Sequence, residues 1–188
     1  IYKSQNGLVR SFSSEKVGGD VRIGYPIFEY TRLFMTVRHE VNKISGIRNP
    51  SVIEDLENGT AASLKVTLRH DKRNNIFEPS DGYFGTASIE NAGFYGDQFW
   101  LKASMEGRFY KPVYEELVFR SRFRVDQIMK TKSTRDIPRT EKFQMGGSRN
   151  MRGFNFEDIG PQEILPDKKD PSVLSRFNVG GTFSILSQ

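Results

Sequence analysis

The stretch FWLKASMEGRFY, residues 99–110, decides the fold because apolar and polar side chains alternate along it. The first set consists of Phe99, Leu101, Ala103, Met105, Gly107 and Phe109, and the second of Trp100, Lys102, Ser104, Glu106, Arg108 and Tyr110. A period of two is typical of a β-strand with one apolar and one polar face. The stretch therefore predicts a strand whose two faces meet different surroundings.

The same alternation recurs along most of the chain. It predicts strands at 1–12, 19–28, 31–43, 61–73, 82–94, 97–111, 115–128 and 177–188. Most of these segments exceed the five or six residues usual in soluble proteins and match the roughly 9–11 that a tilted membrane-spanning strand needs. Their length favours an antiparallel transmembrane β-barrel, and a soluble β-sandwich with long strands remains the alternative.

Composition narrows the class of protein further. The 188 residues include 28 Lys and Arg against 23 Asp and Glu, a net charge of +5, and no Cys. The lack of Cys excludes disulfides, thiolate metal sites and a cysteine nucleophile. The mean hydropathy is −0.55, and the sequence contains no apolar run near the roughly 18 residues of a membrane helix. Barrel strands are half polar, so this low value is compatible with them.

Residues 129–176 differ from the rest of the chain. They are rich in Lys, Arg, Asp, Pro and Gly and show no sustained periodicity. Loops of that length are uncommon unless they are functional or disordered. We therefore expect about seven strands with hairpin turns in 1–128, a long extracellular loop in 129–176, and the next barrel strand in 177–188.

A motif lies inside this loop. Residues 141–154 read EKFQMGGSRNMRGF, and Asp158-Ile159-Gly160-Pro161 follows. The motif resembles the sixth-loop signature of the BamA family of outer-membrane β-barrel assembly proteins, with Met151 in place of the usual Val. Weaker resemblances lie in RHDKRNN at 69–75, PSDG at 79–82 and GYPI at 24–27. Together they cover about residues 19–188.

The motif has a physical reading of its own. Its glycines permit positive φ angles and close backbone approach, which lets the loop fold back sharply. The Arg152 guanidinium fits a carboxylate bidentately and would pin the loop to an inner wall, against which Phe154 and Phe156 would pack. We expect a structural lock with a glycine hinge, made of Phe143, Gly146, Gly147, Arg152, Gly153 and Phe154. The alternative is an ordinary turn with a solvated charge.

Three arginines, Arg120, Arg122 and Arg124, share one face of a predicted strand. Base-stacking aromatics do not separate them, so a nucleic-acid stripe is disfavoured. We expect them to line the lumen of a barrel while the alternating phenylalanines meet lipid. On preceding strands, Glu90 and Glu106 would balance part of this charge.

The resemblance implies a barrel of roughly 16 strands, with periplasmic repeat domains before this chain and further strands after it. It implies a bacterial outer-membrane assembly factor that folds and inserts β-barrel proteins, not an enzyme. The implied partners are unfolded outer-membrane proteins, assembly-complex lipoproteins and the lipid bilayer. In relatives the motif arginine is held by acids of later strands. No cofactor, metal or nucleic acid is expected. The alternatives are a polypeptide-secretion or autotransporter-assembly transporter of the same superfamily, a passive porin, and a soluble β-rich adhesin.

Overall fold

The chain folds into an all-β structure dominated by one antiparallel sheet, as a computed structural model shows. The structure describes residues 2–5, 13–45, 58–132, 136–138, 140–147, 153–154, 159–166, 174–178 and 181–187. Among these residues, no helix is long and apolar enough to cross a membrane.

Ten strands make up the described structure. They are β1 (Tyr2–Gln5), β2 (Ser13–Phe28), β3 (Thr31–Ser45), β4 (Gly59–Arg73), β5 (Gly82–Gly96), β6 (Trp100–Tyr114), β7 (Leu117–Lys130), β8 (Gln162–Pro166), β9 (Leu174–Asn178) and β10 (Phe183–Ser187). Eight of them form a sheet in the order β1-β2-β3-β4-β5-β6-β7-β10, and β8 and β9 form a separate hairpin. The six strands from β2 to β7 have 14 to 16 residues each.

The predicted fold class is confirmed, because the sheet is antiparallel throughout and its strands are long. The predicted last strand, 177–188, begins too early, since β9 ends at Asn178 and the sheet resumes only at Phe183. The β8–β9 hairpin was not predicted. Strands of five residues are too short for a period of two to stand out from chance. Residues 6–12 of the predicted first strand lie outside the described residues.

One face of the sheet is apolar and exposed. Ile23, Val37, Ile89 and Phe119 are 67%, 56%, 60% and 54% exposed, and all belong to this face. Soluble proteins rarely expose a continuous apolar surface of this extent. A wall that faces lipid requires one.

Aromatic and imidazole rings border this apolar face at two levels. His39 lies 6.3 Å from Tyr95 between ring centroids. At the other end the His70 ring stacks on Tyr83 at 5.2 Å, and its Nδ1 lies 2.8 Å from the Thr31 hydroxyl. Thr31 pairs with His70 across β3 and β4. The rise from Thr31 to His39 is about 27 Å along the strand, or roughly 20 Å after a tilt near 40°. That height suits the apolar band of an outer-membrane barrel, about 25 Å tall.

The turn between β4 and β5 shows why its sequence folds as predicted. The Asn74 side-chain oxygen accepts hydrogen bonds from the backbone N–H groups of Ser80 and Asp81, at 3.1 and 3.2 Å. Gly82 follows with a φ of 102°, which glycine adopts without strain. The turn therefore fixes the register in which β4 and β5 pair.

We expect Ile89→Arg to destabilise the intact protein in a bilayer by about 2–4 kcal/mol, because the charge would lie near the middle of the lipid-facing wall. Ile89 pairs with Val66 and Ala103 on that face. The matched control is Ser88→Arg, which places the same charge on the opposite, polar face. Urea unfolding of vesicle-inserted protein measures the difference. Equal losses in the two variants would contradict the assignment of the faces.

Candidate functional site: the junction of the long loop and the polar face

The polar face of the sheet carries a buried carboxylate at its centre. Glu90 on β5 accepts hydrogen bonds from the Arg38 guanidinium and the Ser63 hydroxyl, both at 2.7 Å. The Lys65 amine lies 3.9 Å from its other oxygen. Partners from the two preceding strands therefore satisfy the buried Glu90 carboxylate, as burial of a polar group requires.

Glu141, from the connection between β7 and β10, joins the loop to this face. Its carboxylate lies 3.2 Å from Lys16 on β2, 3.4 Å from Lys102 on β6 and 3.9 Å from Arg38 on β3. The Lys102 amine also donates to the Glu141 carbonyl oxygen at 3.0 Å. One loop carboxylate thus binds cations from three strands at once.

The Glu141 carboxyl is deeply buried, and its electrostatics follow from that position. Burial alone would raise its pKa, but Lys16, Lys102 and Arg38 together hold the pKa below the ordinary value. The carboxylate is therefore the stable form of Glu141 at neutral pH, and the loop carries a permanent negative charge into a positively charged recess.

A third carboxylate shares two of these cations. Glu40 on β3 is 1% exposed and lies 3.7 Å from Lys16 and 3.6 Å from Arg38. Three carboxylates and four cations form one network, which we call the loop anchor: Lys16, Arg38, Glu40, Lys65, Glu90, Lys102 and Glu141. Because each cation contacts one or more carboxylates in common with its neighbours, removal of one member affects several ion pairs.

An apolar cluster lies beside the anchor. Trp100 and Ile128, both on the polar side of the sheet, are 0% and 2% exposed because Ile137 from the loop covers them. Phe143 packs against the cluster, and the Lys102 amine lies 5.1 Å above its ring. The loop thus supplies the apolar partners that an otherwise polar face lacks.

Backbone hydrogen bonds hold the loop at three further residue pairs. Phe143 and Gly181 exchange hydrogen bonds in both directions, at 2.9 and 2.8 Å. The Gly147 N–H donates to the Phe154 carbonyl oxygen at 3.0 Å, and the Ile159 N–H donates to the Met145 carbonyl oxygen at 3.0 Å. The loop therefore doubles back on itself beside the place where it meets the sheet.

Most of the predicted lock motif can be placed. Gly146, Gly147 and Gly153 have φ angles of 119°, 89° and 92°, which side chains other than glycine rarely adopt. Arg152 and Phe156 lie outside the described residues, so the predicted lock remains a prediction. Phe154 is 54% exposed, and its packing against an inner wall remains a prediction. Phe143, which forms an isolated bridge with Gly181, packs against the apolar cluster beside the anchor.

The predicted lumen-facing residues all lie on the polar face, but in the described structure only one of the two predicted acids contacts the predicted arginines. Glu106 accepts from Arg122 at 3.1 Å and lies 4.0 Å from Arg124. Glu90 contacts none of the three predicted arginines in the described part of the chain, because it lies two residue rows away from Arg124. Arg120 is exposed near the β6–β7 turn.

Sequence reasoning missed Glu141 as a site residue, although it is the first residue of the quoted motif. An acid before an aromatic, glycine-rich turn was a visible signal, but its cationic partners belong to three distant strands. Among the described residues, no group of three or more His, Cys, Asp or Glu side chains is placed to hold a metal ion.

Comparison with known proteins agrees with this architecture. Residues 2–186 match the model of the Omp85 superfamily domain. The outer membrane protein assembly factor BamA of Nitratidesulfovibrio vulgaris is 24% identical over 157 residues, which are 81% of this chain and 20% of the relative. A SAM50-like protein of Drosophila melanogaster is 28% identical over 101 residues, 54% of this chain and 23% of the relative. The chain thus spans about a fifth to a quarter of these relatives.

A solved structure shows the same fold. The crystal structure of BamA from Haemophilus ducreyi lacking POTRA domains 1–3 superimposes with a TM-score of 0.83 at 15% identity, over 98% of this chain and 39% of that chain. The predicted resemblance to the BamA family is confirmed. The match shows that the sheet shares the fold of that barrel.

Proposed function

Because this chain belongs to the Omp85 superfamily, we propose that the protein folds and inserts β-barrel proteins into an outer membrane. The observation that carries the proposal is the loop anchor: a long loop bound to the polar face of a wall whose other face is apolar. This geometry suits non-covalent catalysis of insertion, in which the wall perturbs the bilayer while the loop fills the lumen.

The proposed roles follow the three predicted parts of the chain. In the proposal, strands β1 to β7 and β10 belong to the barrel wall, and the connection between β7 and β10 is the extracellular loop that is tucked inside. Within that loop, Arg152, Gly153 and Phe154 are the proposed lock and Gly146 and Gly147 its hinge. Glu141 adds an anchor near the start of the same motif. The proposed role of the described side chains in this region is to position the loop.

The proposed partners are unfolded outer-membrane proteins, lipoproteins of an assembly complex and the bilayer itself. The proposed location is the bacterial outer membrane. The BamA relative supports a bacterial setting, whereas SAM50-like relatives come from a fly and a fission yeast. A porin or an adhesin would need the loop motif to resemble the family by chance. Superfamily membership argues against such a coincidence and therefore against both alternatives.

A polypeptide transporter of the same superfamily is the second candidate, because the polar face is lined by hydroxyl and charged side chains. A recess on this side of the sheet is lined by Asp20, Arg22, Thr36, Arg38, Lys65, Thr67, Thr86, Ser88, Glu90, Ser104, Met105, Glu106 and Arg124. A polar lining suits a wet lumen. Passage of polypeptide across the membrane, with conductance gated by the loop, would distinguish this candidate from an insertion factor.

Reconstitution tests the proposal directly. We expect liposomes that contain the intact protein to insert a urea-unfolded reporter β-barrel at least several-fold faster than empty liposomes, as scored by protease protection and heat-modifiable gel mobility. The control is the same protein with Glu141→Lys, which reverses the anchor charge and should lower the rate. Translocation of the reporter into the liposome lumen without insertion would contradict the proposal and favour a transporter.

A further inference from the structure

The polar face is strongly basic at the end of the strands where the short β2–β3, β4–β5 and β6–β7 turns lie. We call this the turn-side end. Seven arginines lie there in three consecutive rows, and we call them the arginine patch: Arg32, Arg69, Arg73, Arg108, Arg120, Arg122 and Arg124. By strand alternation they share the face that carries the loop anchor. Because side chains on one face of a sheet repeat every second residue, the patch is one continuous surface.

Nearby carboxylates balance only part of this charge. Asp71 contacts Arg69 at 2.7 Å but also serves Arg73, and Glu106 is shared by Arg108 at 2.6 Å and Arg122 at 3.1 Å. Asp126 contacts Arg124 at 2.7 Å. Within the described residues, no carboxylate lies within 4 Å of Arg32 or Arg120. The remaining acids at this end, Glu29, Glu78, Asp81, Glu115 and Glu116, are exposed in the turns beyond the strand ends.

The patch also packs like charges together. The guanidinium groups of Arg69, Arg73 and Arg108 lie 5.2, 5.0 and 5.3 Å from the centroid of the Phe84 ring. Asp71 and Glu106 carry two negative charges against these three cations, so one positive charge beside the ring is not offset by a carboxylate. An arrangement of this kind is prepared to receive anionic groups.

The described part of the loop leaves this surface open. Glu141 binds at the level of Lys102, which pairs with Ile128, whereas Arg124 lies two rows closer to the turns. The side chains of Arg69 and Arg124 are 41% and 43% exposed, and Arg32 and Arg120 are exposed as well. Several guanidinium groups are thus accessible from the lumen side.

We propose that the arginine patch binds an acidic segment of polypeptide. The patch extends from β3 to β7, four strand spacings or about 19 Å, which matches about six residues of extended chain. A single phosphate would contact only a fraction of it. A lipid would have to lay its acyl chains on the polar face. The identification of this segment as part of an unfolded outer-membrane protein rests on the proposed function. The preference for an acidic segment rests only on the positive charge of the patch.

Peptide binding to the intact protein in phosphatidylcholine nanodiscs tests the inference. The probe is a fluorescein-labelled decapeptide of alternating Glu and Ser, and its twin has Gln in place of Glu. We expect the Glu peptide to bind at least tenfold more tightly at 50 mM than at 300 mM NaCl, since screening weakens exposed charge contacts. The Gln twin should bind weakly at both salt concentrations. Equal affinity of the two peptides would overturn the inference.

Variants locate the binding surface. Arg32→Gln with Arg120→Gln removes two cations that lack a carboxylate partner, so folding should be preserved, and we expect roughly three- to tenfold weaker binding. The matched control is Lys72→Gln with Lys111→Gln, which removes the same charge from the apolar face and should change affinity less than twofold. Equal effects of the two pairs, or displacement of the peptide by stoichiometric phosphatidylglycerol, would overturn the inference.

The insertion assay separates this inference from the proposed function. A wild-type protein that binds the Glu peptide but inserts no reporter barrel would contradict the proposed function and support the patch as a binding surface. A protein that inserts the reporter yet shows no preference for the Glu peptide would overturn the patch inference alone.

Discussion

Replacing Glu141 by Gln should release the long loop from the polar face at a cost of about 3 kcal/mol. The change leaves Lys16, Lys102 and Arg38 facing one another around a neutral amide, and loss of one partner from a buried charge cluster typically costs about 3–5 kcal/mol. We take the lower end of that range because the three cations are 22–25% exposed.

Hydrogen exchange of the intact protein measures this release. The Phe143 N–H bonds to Gly181, so a peptide containing Phe143 reports on docking of the loop. A loss of 3 kcal/mol corresponds to roughly 100-fold faster exchange if local opening controls the rate. The matched control is Glu116→Gln, which removes an exposed carboxylate from the β6–β7 turn and should leave exchange unchanged. An unaltered rate in the Glu141 variant would refute the anchor.

Acid should weaken the same anchor in the wild-type protein. The folded pKa of Glu141 lies below its ordinary value of 4.5, so the docked loop favours the charged carboxylate. Its contribution is fully present above the unfolded pKa and is lost as pH falls through the lowered folded pKa. Exchange at Phe143, corrected for intrinsic chemistry, should therefore stay slow at pH 6 and accelerate only in the acid range. The Gln variant should lack that pH dependence.

Whether a structural feature could be predicted from the sequence depends on how far apart in the chain the residues that determine it lie. The strands from β2 to β7 were predictable because an alternation of 14 to 16 residues is a strong local signal. The same alternation assigned Met105 and Glu106 to opposite faces of β6. The β8–β9 hairpin was not predictable, since five-residue strands carry too few alternating positions.

The loop anchor could not be predicted for a different reason. Glu141 and Lys16 lie 125 positions apart in sequence, and their contact depends on the register of several strand pairs and on the path of the loop. Neither the strand register nor the path of the loop can be deduced from local patterns in a single sequence. One local clue did exist: Trp100 is a large apolar residue at a polar-face position, which indicates that something must cover it.

Trp100→Ala should be as damaging as the Glu141 change, at about 3–5 kcal/mol, because it removes a fully buried aromatic side chain. The cavity would open between the sheet and the loop, where Ile128 on β7 meets Ile137 from the loop. The Arg38 guanidinium and Lys102 amine lie 5.9 and 5.7 Å from the ring centroid, so the substitution also removes two cation–π contacts beside the anchor.

The Trp100 variants distinguish packing from charge at the same junction. Trp100→Phe keeps an aromatic face and most of the volume, so we expect it to recover more than half of the loss. Hydrogen exchange at Phe143 and urea unfolding of the whole barrel should be measured on both variants. Because Trp100 belongs to the wall and packs against the loop, Trp100→Ala should lower both quantities, whereas Glu141→Gln should act mainly on the exchange. If Trp100→Ala left exchange at Phe143 unchanged, the loop would not depend on this cluster, and the anchor would be electrostatic alone.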